Sequence, residues 1–138
     1  MPAIYRLMYC SVAKKPAGDP TDLEILRSAV ANNSKQEVTG ILLRTETGFV
    51  QVLEGSEAAV KDVYRSVQTD PRHHNVTLLG DWRDDKRMFA AWAMEFRTLD
   101  NPTAQALIGS DPTKIASTPL LFSIHKLAHM NMGLFQVR

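Results

Sequence analysis

The order of strand and helix signals in this 138-residue chain predicts an α+β fold. The expected architecture is a ferredoxin-like βαββαββ arrangement, with a five-stranded mixed sheet, two helices on one face and further helices at the C-terminal end. Three observations carry this. Five segments alternate apolar and polar residues at period two, two intervening segments repeat near 3.6, and the composition changes after Asp100. A chain of this size buries enough surface to fold as one domain without a disulfide or metal staple.

The first strand is expected over residues 3–12, with Tyr5, Leu7, Tyr9 and Ser11 on one face and Ile4, Arg6, Met8 and Cys10 on the other. After a loop from Pro16 to Pro20, Thr21-Asp22-Leu23-Glu24 reads as a capping box. The helix that follows carries Leu23, Leu26 and Val30 as its inward stripe, and the next position on that stripe is Asn33. Asn32 falls beside it, on the side of Ile25 and Ala29. Asparagines near a helix end commonly cap it or face water, so an asparagine continuing an apolar line deserves a second reading as a ligand contact.

Val38–Thr45 reads as the second strand, turning at Glu46-Thr47-Gly48 into a third, Gly48-Phe49-Val50-Gln51-Val52-Leu53-Glu54-Gly55. On that third strand Gln51 shares a face with Phe49 and Leu53. A buried primary amide without a partner costs about 1–3 kcal/mol, so Gln51 requires either solvent or a partner. Ser56 caps a second helix with Val60, Val63, Tyr64 and Val67 inward, and Asp70-Pro71 stops it. Asp70-Pro71-Arg72-His73-His74 then forms a basic corner, whose His73-His74 reads by default as a surface turn, with a phosphate or ribose contact as the alternative. A fourth strand is expected over Asn75–Trp82, a charged loop over Arg83–Arg87 and a fifth strand over 88–97, where Trp92, Met94 and Phe96 share a face.

In this plan the first and third strands are central neighbours, so Tyr9 and Gln51 point into one layer. The pocket expected there is lined by Tyr9, Ser11, Asn33, Gln51 and Met94, between the helices and the sheet. Beyond Asp100, one helix is expected over Asn101–Ile108 and another from Ser117-Thr118-Pro119 onward, with Leu120, Ile124, Leu127 and Met130/Asn131 inward and fraying at Gly133. These helices either cover the open face of the sheet or form a subunit interface, and a homo-oligomer is expected.

Composition excludes several classes. With 16 basic and 15 acidic residues, the net charge of +1 offers no electrostatic footprint for nucleic acid or an anionic membrane. There is one cysteine, Cys10, and no apolar run of membrane-spanning length, so a cytoplasmic setting is expected. His125 and His129 share a helical face but lack a third ligand and the glutamate of a zinc protease motif, so no metal is assigned. An acylphosphatase-type hydrolase would need an arginine phosphate cradle after the first strand, which Cys10-Ser11-Val12-Ala13-Lys14 does not supply. An RNA-binding module would need stacking rings on the third strand, and Gln51 stands where one is wanted.

The combination Tyr9-Cys10-Ser11, Asn32-Asn33 followed by Thr39-Gly40, Phe49-Val50-Gln51-Val52-Leu53-Glu54-Gly55, Asp70-Pro71-Arg72-His73, and Phe89-Ala90-Ala91-Trp92-Ala93-Met94 resembles the BLUF family of blue-light sensors using FAD. The resemblance runs in order from about residue 3 to 97. It implies a flavin-binding photosensor unit over residues 1–98 and a helical extension over 99–138. It implies FAD on the helix-covered face, with Asn33 and Gln51 bonding the polar edge of the isoalloxazine and Asn32 close by. Tyr9 would bond Gln51, with Trp92 and Met94 beside them; Asp70, Arg72 and His73 would lie toward the ribityl–phosphate end.

In the scheme this implies, blue light excites the flavin, Tyr9 supplies an electron and then a proton, and Gln51 rotates or tautomerises to give a red-shifted state. The signal passes to a downstream partner protein and no substrate is turned over. One position departs from the pattern: an arginine that some members carry on the second helix, at the position of Ser66, is here Arg65.

Overall fold

The computed structural model describes residues 3–90, 94–108, 113, 117–130 and 136–137. Its strands are β1 (Ile4–Ala13), β2 (Thr39–Arg44), β3 (Gly48–Gly55), β4 (His73–Asp84), β5 (Met94–Thr98) and β6 (Gln136–Val137). Its helices are α1 (Pro20–Lys35), α2 (Glu57–Gln68), α3 (Asn101–Leu107) and α4 (Ser117–Met130). The sheet order is β4-β1-β3-β2-β5-β6. β1 lies antiparallel to both β3 and β4, β3 antiparallel to β2, and β5 parallel to β2. The five predicted strands form this mixed sheet, and the two-residue β6 adds to its margin.

β3 is buried along its whole length because it is central in the sheet and covered on both faces. Its alternate residues therefore feed two cores. Phe49 and Leu53 join Tyr5, Leu7, Tyr9, Ile25, Leu26, Val60, Val63, Met94 and Phe96 under α1 and α2. Val50 and Val52 join Met8, Cys10, Ile41, Leu43, Phe89 and the inner residues of α3 and α4 on the opposite face. The C-terminal helices thus cover the open side of the sheet. Gly40 and Gly48 have to be glycine, since a Cβ on either would come within about 2 Å of a backbone carbonyl of the neighbouring strand.

Four expectations need correction. α1 begins at Pro20 with Asp19 as its cap; the Asp19 carboxylate accepts from the Thr21 N–H at 2.9 Å, so Thr21 opens no capping box. Its buried line is Asp22, Ile25, Leu26 and Asn33, while Leu23 is 50% exposed. The reason is electrostatic: Arg44, fully buried at the end of β2, donates from Nε to Asp22 at 3.0 Å and lies 4.7 Å over the Phe49 ring. A buried guanidinium needs a carboxylate more than the helix needs another leucine inward.

β4 starts at His73 and runs to Asp84, so His73 and His74 are strand residues rather than a surface corner, and His73 is buried. Two register shifts interrupt the β1–β4 pairing, one between Met8 and Tyr9 and one between Cys10 and Val12. Asn75 sits at the second with φ 53°, a left-handed conformation asparagine tolerates. Finally, β5 starts at Met94, not at 88. The Glu54 carboxylate accepts from the backbone N–H groups of Met88 and Phe89, each at 2.7 Å, so these donors serve a side chain rather than a ladder. Trp92, Asn131 and Gly133 lie outside the described residues.

Candidate functional site

Between α1, α2 and the sheet lies a cavity of about 420 Å³. From α1 it is lined by Ile25, Ser28, Ala29 and Asn32, which recur at helical spacing along one face. α2 contributes Val63, Ser66 and Val67, and the sheet contributes Tyr9, Leu42 and Gln51. Asp70, Pro71, Arg72 and His73 close one end. The hollow therefore has an uncharged polar end on the sheet, apolar walls and a charged end where α2 passes into β4.

Tyr9 and Gln51 are register partners on β1 and β3, so the pleat turns both toward this cavity. The Tyr9 hydroxyl donates to Gln51 Oε1. On its other end, Gln51 Nε2 donates to Met94 Sδ at 3.4 Å, a weak acceptor. Burial above all, then Tyr64 and Asp70, holds the Tyr9 phenol well above its ordinary pKa, so it is a neutral donor. The Tyr64 ring lies 5.5 Å from that of Tyr9 at 48°, an inclined aromatic contact from α2.

Arg72 and Asp70 form a two-pronged pair, Nε to Oδ1 at 2.9 Å and Nη2 to Oδ2 at 2.7 Å, and Arg72 Nη2 also donates to Ser28 Oγ at 3.3 Å. Burial works against the Asp70 carboxylate, but the Arg72 bonds outweigh it and bring its pKa below the usual range. His73 is held neutral: burial pushes its pKa down. Its Nε2 faces the Val67 carbonyl at 3.2 Å and its Nδ1 faces Ser11 Oγ at 2.7 Å. A carbonyl only accepts, so Nε2 carries the proton and Nδ1 accepts from the Ser11 hydroxyl.

Of the residues singled out from sequence, Tyr9, Asn32, Gln51, Asp70, Arg72 and His73 line the cavity. Ser11 is spent on His73 instead. Asn33 is fully buried and, like Met94, stands behind the wall rather than on it. Trp92 lies outside the described residues. Arg65 is 70% exposed and pairs with Asp62, whereas Ser66 faces the cavity, so the one-residue departure turns the arginine away. Ser28 and the apolar wall residues Leu42 and Ile25 were not anticipated. The signal for Ser28 was present in its spacing, one helical turn before Asn32 on α1.

A family profile described as sensors of blue-light using FAD matches residues 4–95. The chain belongs to the BLUF family. Among curated relatives, the chain is 35% identical over 107 residues to the photoactivated adenylate cyclase subunit beta-like protein FB of Euglena gracilis, covering 77% of this chain and 12% of that protein. It is 43% identical over 65 residues to the blue light- and temperature-regulated antirepressor BluF of Escherichia coli, covering 46% of this chain and 16% of that protein. The match thus spans well under a fifth of these relatives' length.

Among solved structures, BlrB, a BLUF protein in its dark state, superposes with a TM-score of 0.70 at 26% identity, over 92% of this chain and 98% of that one. BlsA in its photo-activated state has the same fold, with a TM-score of 0.80 at 23% identity over 96% and 99% of the two chains. FAD is the chromophore of this family, and the chain is a BLUF blue-light sensor domain. The cavity fits that group: a flat ring with polar edges suits the Gln51 end and apolar walls, and an anionic tail suits the end holding Arg72. Among the described residues no helix is long and apolar enough to cross a membrane, and none cluster as a metal site.

Proposed function

We propose that light sensing in this chain turns on the Tyr9–Gln51 pair, with Gln51 as the part that rearranges. The observation that carries this is the bonding of the Gln51 amide: Oε1 accepts from Tyr9 and Nε2 donates to a thioether, at the wall of a cavity suited to flavin. When bound, FAD supplies the blue absorption and the one-electron oxidant. Asn32 and Gln51 would hold its ring edge, with Asn33 buried directly behind them, and Asp70, Arg72 and His73 its phosphate-bearing side.

Tyr9 is the electron and proton donor. Its phenolic proton already points along the bond to Gln51 Oε1, so the proton has a defined path when the tyrosine is oxidised. A carboxamide is nearly symmetric in shape but asymmetric in bonding, so rotation of Gln51 takes its donor away from Met94 Sδ, while tautomerisation makes a donor of Oε1 and leaves Nε2 a single N–H. The hydroxyl of Tyr9 serves either outcome, because it can donate or accept. The change at Met94 is felt by β5, which carries it, and through β5 by the C-terminal helices.

The chain then acts as a sensor without turnover, and its output passes to a downstream protein, as the cyclase and antirepressor names of its relatives suggest. Residues 1–98 are the photosensor unit and 99–138 the extension that presents its state. A cytoplasmic setting and a homo-oligomer complete the reading, the latter checked by light scattering in the dark and in the light. The deciding experiment is the absorption spectrum of the purified protein before and after blue light. A yellow protein with a reversible red shift is expected, and a colourless protein from a flavin-replete host would overturn the reading.

A further inference from the structure

β5 carries Met94 toward Gln51 on one side of the sheet and Glu95 and Arg97 toward α4 on the other, both almost fully buried. Arg97 donates from Nε and Nη2 to the same carboxylate oxygen, Glu95 Oε1, at 3.0 and 2.6 Å. The second oxygen, Oε2, is buried and accepts no hydrogen bond among the described residues. The remaining guanidinium donors reach α4: Nη1 lies 3.3 Å from the Leu127 carbonyl and Nη2 lies 3.0 Å from that of Ala128. These are carbonyls of the last turn, which have no partner within the helix and carry the negative end of its dipole.

The guanidinium is therefore shared. Arginine and carboxylate prefer the two-pronged fork that uses both oxygens, and Asp70–Arg72 in this molecule adopts it. Among the described residues Glu95–Arg97 instead uses one carboxylate oxygen, with Nη2 donating both to that oxygen and to α4. A shift of β5 therefore moves the one guanidinium that holds both of these α4 carbonyls. Glu95 is the residue next to Met94, so a displacement at the Met94 backbone moves one partner of this pair directly.

We propose that Arg97 is the positioning residue that transmits the state of Gln51 to α4, holding its last turn in the dark and loosening that hold when β5 is displaced in the light. The inference rests on the reading of Tyr9–Gln51 given above. It assigns the readout to one guanidinium on the face of the sheet opposite the cavity, and it names the C-terminal turn of α4 as the element whose order changes.

The test is hydrogen exchange of the flavin-loaded full chain, in the dark and under steady blue light, with the absorption spectrum taken on the same samples. In the unmodified protein, exchange of the amides of the last turn, 127–130, is expected to quicken several-fold in the light. In the double variant Glu95→Leu/Arg97→Met, which removes both charges together and so leaves no buried ion unpaired, the red shift is expected to persist while the light and dark exchange of α4 agree within a factor of two.

A red shift in the unmodified protein with no change in α4 overturns the relay and leaves the Gln51 reading standing. So does a light-dependent α4 in the double variant. A double variant without a red shift also overturns it, because the pair then supports the flavin site instead of reading it out. No red shift in the unmodified protein removes both readings. Should the double variant fail to fold, nuclear magnetic resonance of arginine-labelled unmodified protein replaces it: the Arg97 Nε–H signal is expected to move on illumination, and an unmoved signal overturns the proposal.

Discussion

On the face covered by α1 and α2, the buried polar side chains include the Arg44–Asp22 clamp but also Tyr9 and Gln51, which border a hollow. On the face covered by α3 and α4, they close on one another: Arg6 donates to Glu54 at 2.7 Å, Glu54 accepts from the turn at Met88 and Phe89, and Arg97 binds Glu95 and the end of α4. Both faces are fed by β1, β2, β3 and β5, alternate residues pointing each way. The contrast separates polar groups that wait for a ligand from polar groups that hold elements together. Removing the first kind should cost function and leave the fold; removing the second should cost stability first.

The largest functional effect is expected at Gln51. Gln51→Leu keeps the shape of the wall and removes both amide ends, so flavin should stay bound while the reversible red shift disappears. A normal shift in that variant, read by absorption, breaks the comparison at its centre. Tyr9→Phe should likewise abolish the usual photocycle, because the donor to Gln51 Oε1 is gone; an unaltered recovery spectrum would count against Tyr9.

The largest stability effect belongs to the opposite face. Glu54→Ala leaves the Arg6 guanidinium without its buried partner and strips two backbone donors of their acceptor. Breaking a buried pair in this way costs about 3–5 kcal/mol, measurable by denaturant unfolding. A loss below about 1 kcal/mol, the scale of exposed pairs, would show that this face is not clamped as described.

His73 gives a smaller, pH-dependent effect. Its folded pKa lies below the ordinary value of about 6.5, so between those two values the unfolded chain binds more protons than the folded one. Stability should be full above about pH 6.5 and decline as the pH falls toward the folded value. His73→Gln should flatten that part of the profile, and an unchanged slope would assign the loss to other groups. The smallest effect is expected at Arg65: Arg65→Ala, on an exposed pair with Asp62, should leave both flavin retention and unfolding unchanged.

The same contrast explains what could be read from the residues alone. The pairing of Tyr9 with Gln51 was legible because parity along two bracketed strands fixes which side chains meet. Glycines at 40 and 48, and the hairpin between Arg44 and Gly48, fix the register without reference to anything distant. What escaped depends on partners remote in sequence. Asp22 displaced Leu23 from the inner face of α1 because Arg44 is buried beneath it, and no local pattern announces that.

The start of β5 was misjudged because 88–90 look strand-like, yet a carboxylate 34 residues upstream takes the Met88 N–H. His73 read as a turn because it follows Asp70-Pro71, although Ser11 and the Val67 carbonyl give its ring two buried partners. Periodicity reports which face a residue takes. It is silent on which polar groups will find one another across the fold.

The sheet also has a mechanical side. β1 is laced to β3 from Tyr5 to Val12 and to β4 along its other edge, whereas among the described residues β5 is joined to β2 from Glu95 to Leu99, in parallel register, and to β6 by two residues. Parallel pairing is slightly weaker per residue. Among the described residues, the middle of the sheet is thus tied by more backbone pairs than the strand that bears Met94 on one side and Arg97 on the other. On the relay proposed above, a displacement at Gln51 would be taken up by β5 rather than by β1 and β3, and would pass toward the end of α4.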